Sequence, residues 1–552
     1  MMKHLPLRWP APNLPSVLTF LALAALALYG KFLSSPLVFD DFSYFGDNIG
    51  DDLKALGGLG LRGLSIATFG WVRAMLGEDL VWQRLANLSL HIANGGVLFL
   101  FLRRLFEATL VPAPSGPAGA RPALGLPWLA FFGALWFVLN PVAVYGVAYL
   151  AQRTILMATL FALLTWWLFL QGVLRGQRRW LLASGASYLL AVLSKEHAIM
   201  VPAVALALLL LLRKPSKALL IQVGPIFFLY TLIAAFTFFQ IKSGGVVGRA
   251  YEPNGANMLG ELGIGSQQAH ALSVLTQGFL YFKYLLLWLV PNPGWLSVDM
   301  LERFVRSYWS WPETLGLLAF LLYPALALYL LLQRGHRGLL GFALLGPWLL
   351  FATELSTVRI QETFVLYRSY LWMPCLLAAL PFLLQKVAAR HAFVMLAVVT
   401  LALLPASWNR LTTFSDTFLL WDDALRLAQR QGQGQDNPSR LGRMYHNRGV
   451  GHLAGQRYQQ AILDFDAGLK ILPNYSRMYS DRAVAYLETG RYREALQDYD
   501  LAIRLDPGYY NPYLGRAMVH EALGNPEAAR LDYARSCQLG VDEVCAAARV
   551  AH

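Results

Sequence analysis

The stretch SVLTFLALAALALYGKFL, Ser16 to Leu33, decides how the rest of the chain is read. It is close to the about 20 apolar residues that cross a bilayer as a helix. It runs directly into Pro36-Leu-Val-Phe-Asp-Asp-Phe-Ser-Tyr44. An apolar helix therefore delivers two carboxylates, Asp40 and Asp41, to a membrane surface. Ionisable groups at such a place are costly to keep and mark functional sites.

Composition agrees. Of 552 residues, 56% are hydrophobic and only 14% charged, against roughly 25% charged in soluble domains. Mean hydropathy is +0.44. The net charge of +13 is scattered in short clusters between apolar runs, as membrane topology requires, and forms no stripe suited to nucleic acid. Lys3 and Arg8 flank the first span as in a signal peptide. No small-residue cleavage site follows, so the span reads as an uncleaved helix.

Windows apolar enough to cross lie near 16–33, 84–104, 128–147, 154–172, 180–195, 197–213, 218–239, 312–332, 339–353, 370–384 and 391–408. A twelfth, Phe279 to Pro291, is short and carries Lys283. With the N-terminus cytoplasmic and 279–291 not crossing, five connections are basic and cytoplasmic: from Arg103-Arg104, Arg175 to Arg179, Arg213-Lys214 with Lys217, Arg334 to Arg337, and Lys386 to Arg390. The expectation is about eleven crossings, 279–291 lying at the outer face, and a C-terminal region outside the cytoplasm.

That region repeats with a period of 34. Tyr445, Tyr479 and Tyr513 mark it, as do Ala461, Ala495 and Ala529, and Phe465, Tyr499 and Tyr533. Gly490 and Gly524 mark the turn inside repeats two and three, and Gln456 takes that place in the first. Small residues let paired helices approach and aromatics fill the gaps, which resembles the tetratricopeptide (TPR) pattern. The expected organisation is all-α: residues 1–410 as a membrane domain, 411–440 as a linker with a degenerate half-repeat, and 441–552 as a three-repeat TPR solenoid. TPR arrays bind polypeptides on a concave face; a capping role for this short array is the rival reading. Cys537 and Cys545 flank a turn at Leu539-Gly540, and the sequence leaves open whether they pair. Cys375, in an apolar run, reads as a core residue.

On this topology the polar residues at outer helix ends are few. They are Asp40, Asp41, Asp47, Asn48, Arg62, Gln152-Arg153, Lys195-Glu196-His197, Asp299, Glu354, Glu362, Tyr367 and Arg368. Acids and bases gathered at one face suit transfer from a phosphate-linked lipid donor. Fixed cations hold the phosphate and a carboxylate removes a proton from an incoming hydroxyl. Arg153, Lys195 and Arg368 are the phosphate candidates, Asp40 or Asp41 the base, and Glu196 an orienting acid. Each has a plainer rival: helix capping or solvation for the aspartates, snorkelling for Arg153, mutual neutralisation for Lys195 and Glu196, and solvated loop acids for Asp299 and Glu362.

Val38-Phe-Asp-Asp41, Arg62 to Phe69, Asn87-Leu-Ser-Leu-His91 with Asn94, Asn140-Pro141 with Gln152-Arg153, Leu193-Ser-Lys-Glu196, Leu296-Ser-Val-Asp299 and Tyr367-Arg-Ser-Tyr-Leu371 follow one another over most of the chain. Together with the TPR tail they resemble the C-type (GT-C) glycosyltransferases that use polyprenyl-phosphate sugars, and among them the transmembrane-and-TPR O-mannosyltransferases and their bacterial relatives. Gly63 stands where relatives tend to have Pro, and no Glu-His precedes Tyr367. The resemblance implies an inverting protein O-glycosyltransferase. Its polyprenyl-phosphate sugar donor would meet Ser or Thr hydroxyls of an exported protein at the periplasmic face of a bacterial inner membrane. It maps the base onto the Asp pair, Asp40 favoured. Sugar or acceptor contacts would come from Arg62, Asp299, Glu362 and Tyr367, and the acceptor protein would bind the TPR domain. No cofactor is expected, with a divalent metal left open. Transfer to an envelope glycan or lipid, or a non-catalytic TPR scaffold, are the competing readings.

Overall fold

The computed structural model describes residues 10–45, 60–111, 124–245, 247–250, 255–432 and 438–546, apart from 542 and 544. Asp47 and Asn48 lie outside these. The described residues form helices and connections, with no strand among them. The chain divides into two compact units, one of Met1–Leu296 and Phe304–Thr412, the other of Ser297–Arg303 and Thr413–His552.

Among the described residues of the first unit, eight helices are long and apolar enough to cross a membrane: Leu14–Phe32, Leu80–Leu110, Leu150–Arg175, Lys217–Ser243, Ser266–Leu289, Glu313–Leu332, Gly335–Ser356 and Ala389–Phe414. Seven coincide with expected windows. The windows at 128–147, 180–195, 197–213 and 370–384 fall on shorter elements, the last on the 3₁₀ runs Leu366–Leu371 and Met373–Ala379 and a final turn, Leu380–Leu384. Ser266–Leu289 corrects the expectation of a short element at 279–291. Gln267, Gln268, Ser273, Thr276 and Gln277 hid its first half from a hydropathy reading. Two of these groups reach a distant stretch of chain: the Gln277 side chain donates to Thr363 O at 2.7 Å and the Ser273 hydroxyl to Thr357 O at 3.2 Å. Both ends of this helix meet the chain around 355–369. His270 lies 2.8 Å from Leu355 O, and the Trp288 indole N–H donates to Ser369 Oγ at 2.8 Å. Its second half packs along Glu313–Leu332, Gly278 against Leu317 and Tyr281 against Phe320.

The first helix starts with a reciprocal cap between Asn13 and Ser16 and a Pro in its first turn, which together satisfy and pre-set the exposed N-terminus. Val17, Leu21, Ala25 and Leu28 form its buried face, spaced as one helical stripe. It closes on Leu80–Leu110 where Gly95 and Gly96 leave room; a Cβ on Gly96 would stand 2.6 Å from Leu18. Tighter still is Gly341, where a Cβ would stand 2.1 Å from the Leu331 backbone nitrogen. Small residues let apolar helices touch backbone to backbone. Inside the bundle, the His91 Nδ1 is 2.6 Å from the Tyr370 hydroxyl and Nε2 3.0 Å from Val138 O, which fixes the segment that carries Arg368.

The second unit stacks helix pairs Pro438–Ala454 with Tyr458–Ile471, Ser476–Glu488 with Tyr492–Leu505, and Asn511–Ala522 with Pro526–Gln538, preceded by Thr417–Arg430. Gly490 and Gly524 take positive φ at the intra-repeat turns, and Gln456 does so in the first repeat at φ 56°. An arginine recurs at period 34 and is doubly held. Arg448 donates to Asp464 at 2.8 Å and Asp422 at 3.0 Å. Arg482 donates to Asp498 at 2.7 Å and Asp466 at 2.5 Å. Arg516 donates to Asp532 at 2.8 Å and Asp500 at 2.5 Å. Each guanidinium therefore ties its own repeat to the helix before it. Cys537 and Cys545 are disulfide-bonded, and Cys375 is free and buried.

Candidate functional site

A polar pocket of about 230 Å³ opens in the first unit. Asp40, Arg62, Lys195, Glu362, Tyr367 and Arg368 line it together with Tyr44, Gln152, Thr154, His197 and Gln361. Residues up to about 330 positions apart in sequence thus meet at one place, brought there by the ends of several helices.

The two aspartates part company. Asp40 is exposed to the pocket, and its backbone N–H donates to the Tyr149 hydroxyl at 3.0 Å. Asp41 is fully buried, accepting from Ala151 N at 2.7 Å and Val38 N at 3.2 Å. Burial pushes its carboxyl up to about 7 against the pull of those amides and of Arg84. Asp41 therefore clamps the first loop onto the 148–152 segment and does not face the pocket.

Glu196 is likewise engaged. Arg62 grips it with two nitrogens, Nε at 2.9 Å from Oε2 and Nη2 on Oε1. Burial opposes its ionisation, yet the Arg62 charge and hydrogen bond hold its carboxyl well below the usual range. Arg62 reaches it from a left-handed backbone conformation, φ 64°, just before the Gly63–Leu76 helix. His197 lies 3.4 Å from Glu196 and 3.3 Å from Glu354. Glu354 also faces Arg359 and Arg368, each at 3.2 Å, and Arg368 donates to Glu362 at 2.6 Å. Arginines and glutamates alternate along this web.

Lys195 stands apart. Its ammonium donates to Gln152 Oε1 at 3.1 Å and Thr154 Oγ1 at 3.4 Å, and lies 5.1 Å over the Tyr367 ring. No carboxylate among the described residues pairs with it, although it is 5% exposed. Burial, with Arg62 adding repulsion, brings it down to about 7. Glu196 and Glu354 act on it only through space.

Two expected residues are elsewhere. Arg153 does not line the pocket: it is buried, donates to Asn87 Oδ1 at 2.7 Å and to Gln83 O and Oε1 at 2.8 Å, and stacks 4.1 Å from the Phe69 ring centroid. Its donors are consumed in packing. Asp299 belongs to the second unit, where Arg440 pairs with it. Conversely, Tyr149, Thr154, Gln361 and Arg359 were missed, being uncharged or outside any helix-end pattern. No group of three His, Cys, Asp or Glu among the described residues is arranged to hold a metal ion.

A second cavity of about 510 Å³ shares Arg62 and His197 with the polar pocket and adds Glu196 and Arg359. Its remaining walls are largely apolar, from Ile199, Met200, Phe238, Ile241, Val247 and Ala352. A polar chamber and an apolar one thus share a basic wall.

No curated protein matches the chain. Among solved structures, the second TPR of Spaghetti (RPAP3) bound to an HSP90 peptide is 27% identical, over 20% of this chain and 96% of that one, with a TM-score of 0.19. MamA is 17% identical over 22% and 80%, TM-score 0.18. The APC/C hetero-tetramer Cut9-Hcn1 is 14% identical over 97% of each chain, TM-score 0.21. Residues 476–509 match the tetratricopeptide repeat family model, so the middle unit of the 34-residue array is a tetratricopeptide repeat.

Proposed function

We propose that the chain is an integral membrane inverting glycosyltransferase of the GT-C type. It moves a sugar from a polyprenyl-phosphate donor to Ser or Thr hydroxyls of exported proteins. The observation that carries this reading is the shared wall between the polar pocket and the apolar cavity, with Lys195, whose hydrogen-bond partners are neutral, lining the polar side. An amphiphile with one phosphate and a long hydrocarbon chain fits both halves at once. The phosphate sits at Lys195, Arg62 and Arg368, and the chain runs past Phe238 and Ile241. Arg153 leaves the phosphate set, and Asp41 and Glu196 hold Asp40 and Arg62 in place.

In the proposed reaction Asp40 accepts the proton of the acceptor hydroxyl. The hydroxyl oxygen forms a bond to the anomeric carbon from the face opposite the phosphate. The carbon–oxygen bond to phosphate breaks, the configuration inverts, and polyprenyl phosphate leaves with the electron pair. The fixed cations stabilise that leaving group, so the chemistry calls for no further cofactor.

With a cytoplasmic N-terminus, eleven crossings that leave out Ser266–Leu289 would bring the pocket and the second unit to the periplasmic side of a bacterial inner membrane. The basic ends at Arg103, Arg175, Arg213, Arg334 and Lys386 support this arrangement. So does the Cys537–Cys545 disulfide, a bond of oxidising compartments. The TPR unit binds the acceptor polypeptide. Mass spectrometry of exported proteins from cells carrying wild-type or Asp40→Asn enzyme at matched expression tests the proposal. A hexose-sized mass on Ser/Thr peptides is expected to vanish in the variant; unchanged glycopeptides would refute protein transfer.

A further inference from the structure

A third cavity, about 380 Å³, lies apart from the site in the first unit. Leu340, Ala343 and Leu344 of Gly335–Phe351, Leu380, Leu383 and Leu384, and Met395, Leu396 and Val399 of Ala389–Phe414 form its walls, with Trp136 and Trp288 at one end. Its size falls within the roughly 300–1,000 Å³ of ligand pockets. It offers almost no polar surface, since the Trp288 N–H is already used on Ser369. Leu383, Val394 and Val398 continue it outward as exposed apolar surface, Leu383 being 61% exposed.

The end away from Trp288 is basic. Arg337 lies one turn before Leu340 on the same helix, and Lys386 two residues beyond Leu384. Both are exposed. Neither pairs with a carboxylate among the described residues: Arg337 bonds only the Gln333 amide oxygen, at 2.9 Å. An apolar groove with two uncompensated cations just beyond its walls matches an anionic phospholipid. The acyl chain would fill the groove and the headgroup phosphate would meet Arg337 and Lys386.

We infer that this groove is a binding site for one anionic phospholipid of the cytoplasmic leaflet, separate from the donor site. The inference rests on the membrane reading above and is independent of the transfer reaction. The groove flanks the 3₁₀ runs 366–379, whose hydrogen bonding is poorer than that of an α-helix and which carry Arg368. A lipid chain there packs the rear of a segment that faces the polar pocket.

The test uses the full chain. Alkaline carbonate extraction of membranes comes first: release into the supernatant overturns the membrane reading and this inference with it. For protein that stays with the membrane, native mass spectrometry in detergent follows retention of added phosphatidylglycerol and phosphatidylcholine. Wild type is expected to retain one phosphatidylglycerol in preference. Arg337→Gln and Lys386→Gln are each expected to weaken retention about fivefold, and Ala343→Trp to abolish it by filling the groove. The glutamine variants alter exposed side chains, so they fold even if Ala343→Trp does not. Equal retention of both lipids by wild type, or undiminished phosphatidylglycerol retention in the combined glutamine variant, overturns the site while leaving the membrane reading intact.

Discussion

Asp40 and Asp41 adjoin in sequence, yet one carboxylate lines the polar pocket and the other accepts two backbone amides from a dry position behind it. Alanine substitution separates the roles. Asp41→Ala leaves the Val38 and Ala151 amides unpaired and is expected to cost about 1–3 kcal/mol of stability. Asp40→Ala removes an exposed group and is expected to move stability by no more than about 0.5 kcal/mol while transfer is lost. Thermal unfolding in detergent and glycopeptide yield, measured side by side, check the split. Equal stability losses would contradict it.

Lys195 sets a pH dependence. It holds its proton below about 7, so kcat/KM for the phosphate donor is expected to fall as pH rises through that value, because this parameter reports the free enzyme. Lys195→Arg keeps the charge throughout and should flatten the profile; Lys195→Met should lower activity below about 7 and converge on wild type as pH rises above it. The same shift acts on folding. Between about 7 and its ordinary 10.5 the unfolded chain binds a proton that the folded chain lacks. The cost of burying this amine is therefore full below 7 and fades as pH rises towards 10.5.

The arginine ladder predicts unequal costs. Arg482→Ala strands Asp498, which is buried, and should cost about 2 kcal/mol. Arg491→Ala breaks an exposed pair with Glu494 and should leave the unfolding midpoint essentially unchanged. Unfolding of the full chain followed by limited proteolysis within 438–538 distinguishes the two.

Close helix approach makes Gly341 intolerant. Gly341→Ala should cost about 1–3 kcal/mol through overpacking. Gly224→Ala, in a helix where an added Cβ meets nothing within 4 Å, should stabilise by about 0.5–1 kcal/mol. Unfolding midpoints of the two variants give the comparison.

The disulfide is expected in protein taken from cells. Without reductant, Cys537 and Cys545 should resist alkylation; after reduction both should react. Labelling of both before reduction would remove the support they give to an oxidising location.

Much of this architecture is legible in single positions. The period of 34 identifies the repeats because each must offer small and aromatic residues at the same contacts. Long apolar windows mark helices wherever few polar residues interrupt them. The reading weakens where burial is polar. Arg153 looks like a free cation at a helix end, but its partners Gln83 and Asn87 lie on another helix, about 70 residues back. Asp299 looks like an outer-face acid, but its partner is Arg440, 141 residues on. The polar first half of Ser266–Leu289 conceals a helix whose hydrogen bonds are met by the 355–363 segment. Sequence shows a side chain's capacity to bond, whereas the fold decides whether that capacity is already used.

The ladder gives the repeat array a direction. Every arginine reaches backward: Arg448 to Asp422, Arg482 to Asp466, Arg516 to Asp500. Losing the last repeat strands only the half-exposed Asp500, whereas losing an earlier one takes a carboxylate from an arginine that remains. Assembly can therefore proceed in the order of translation, each newly made repeat clasping a finished one, and fraying begins at the far end.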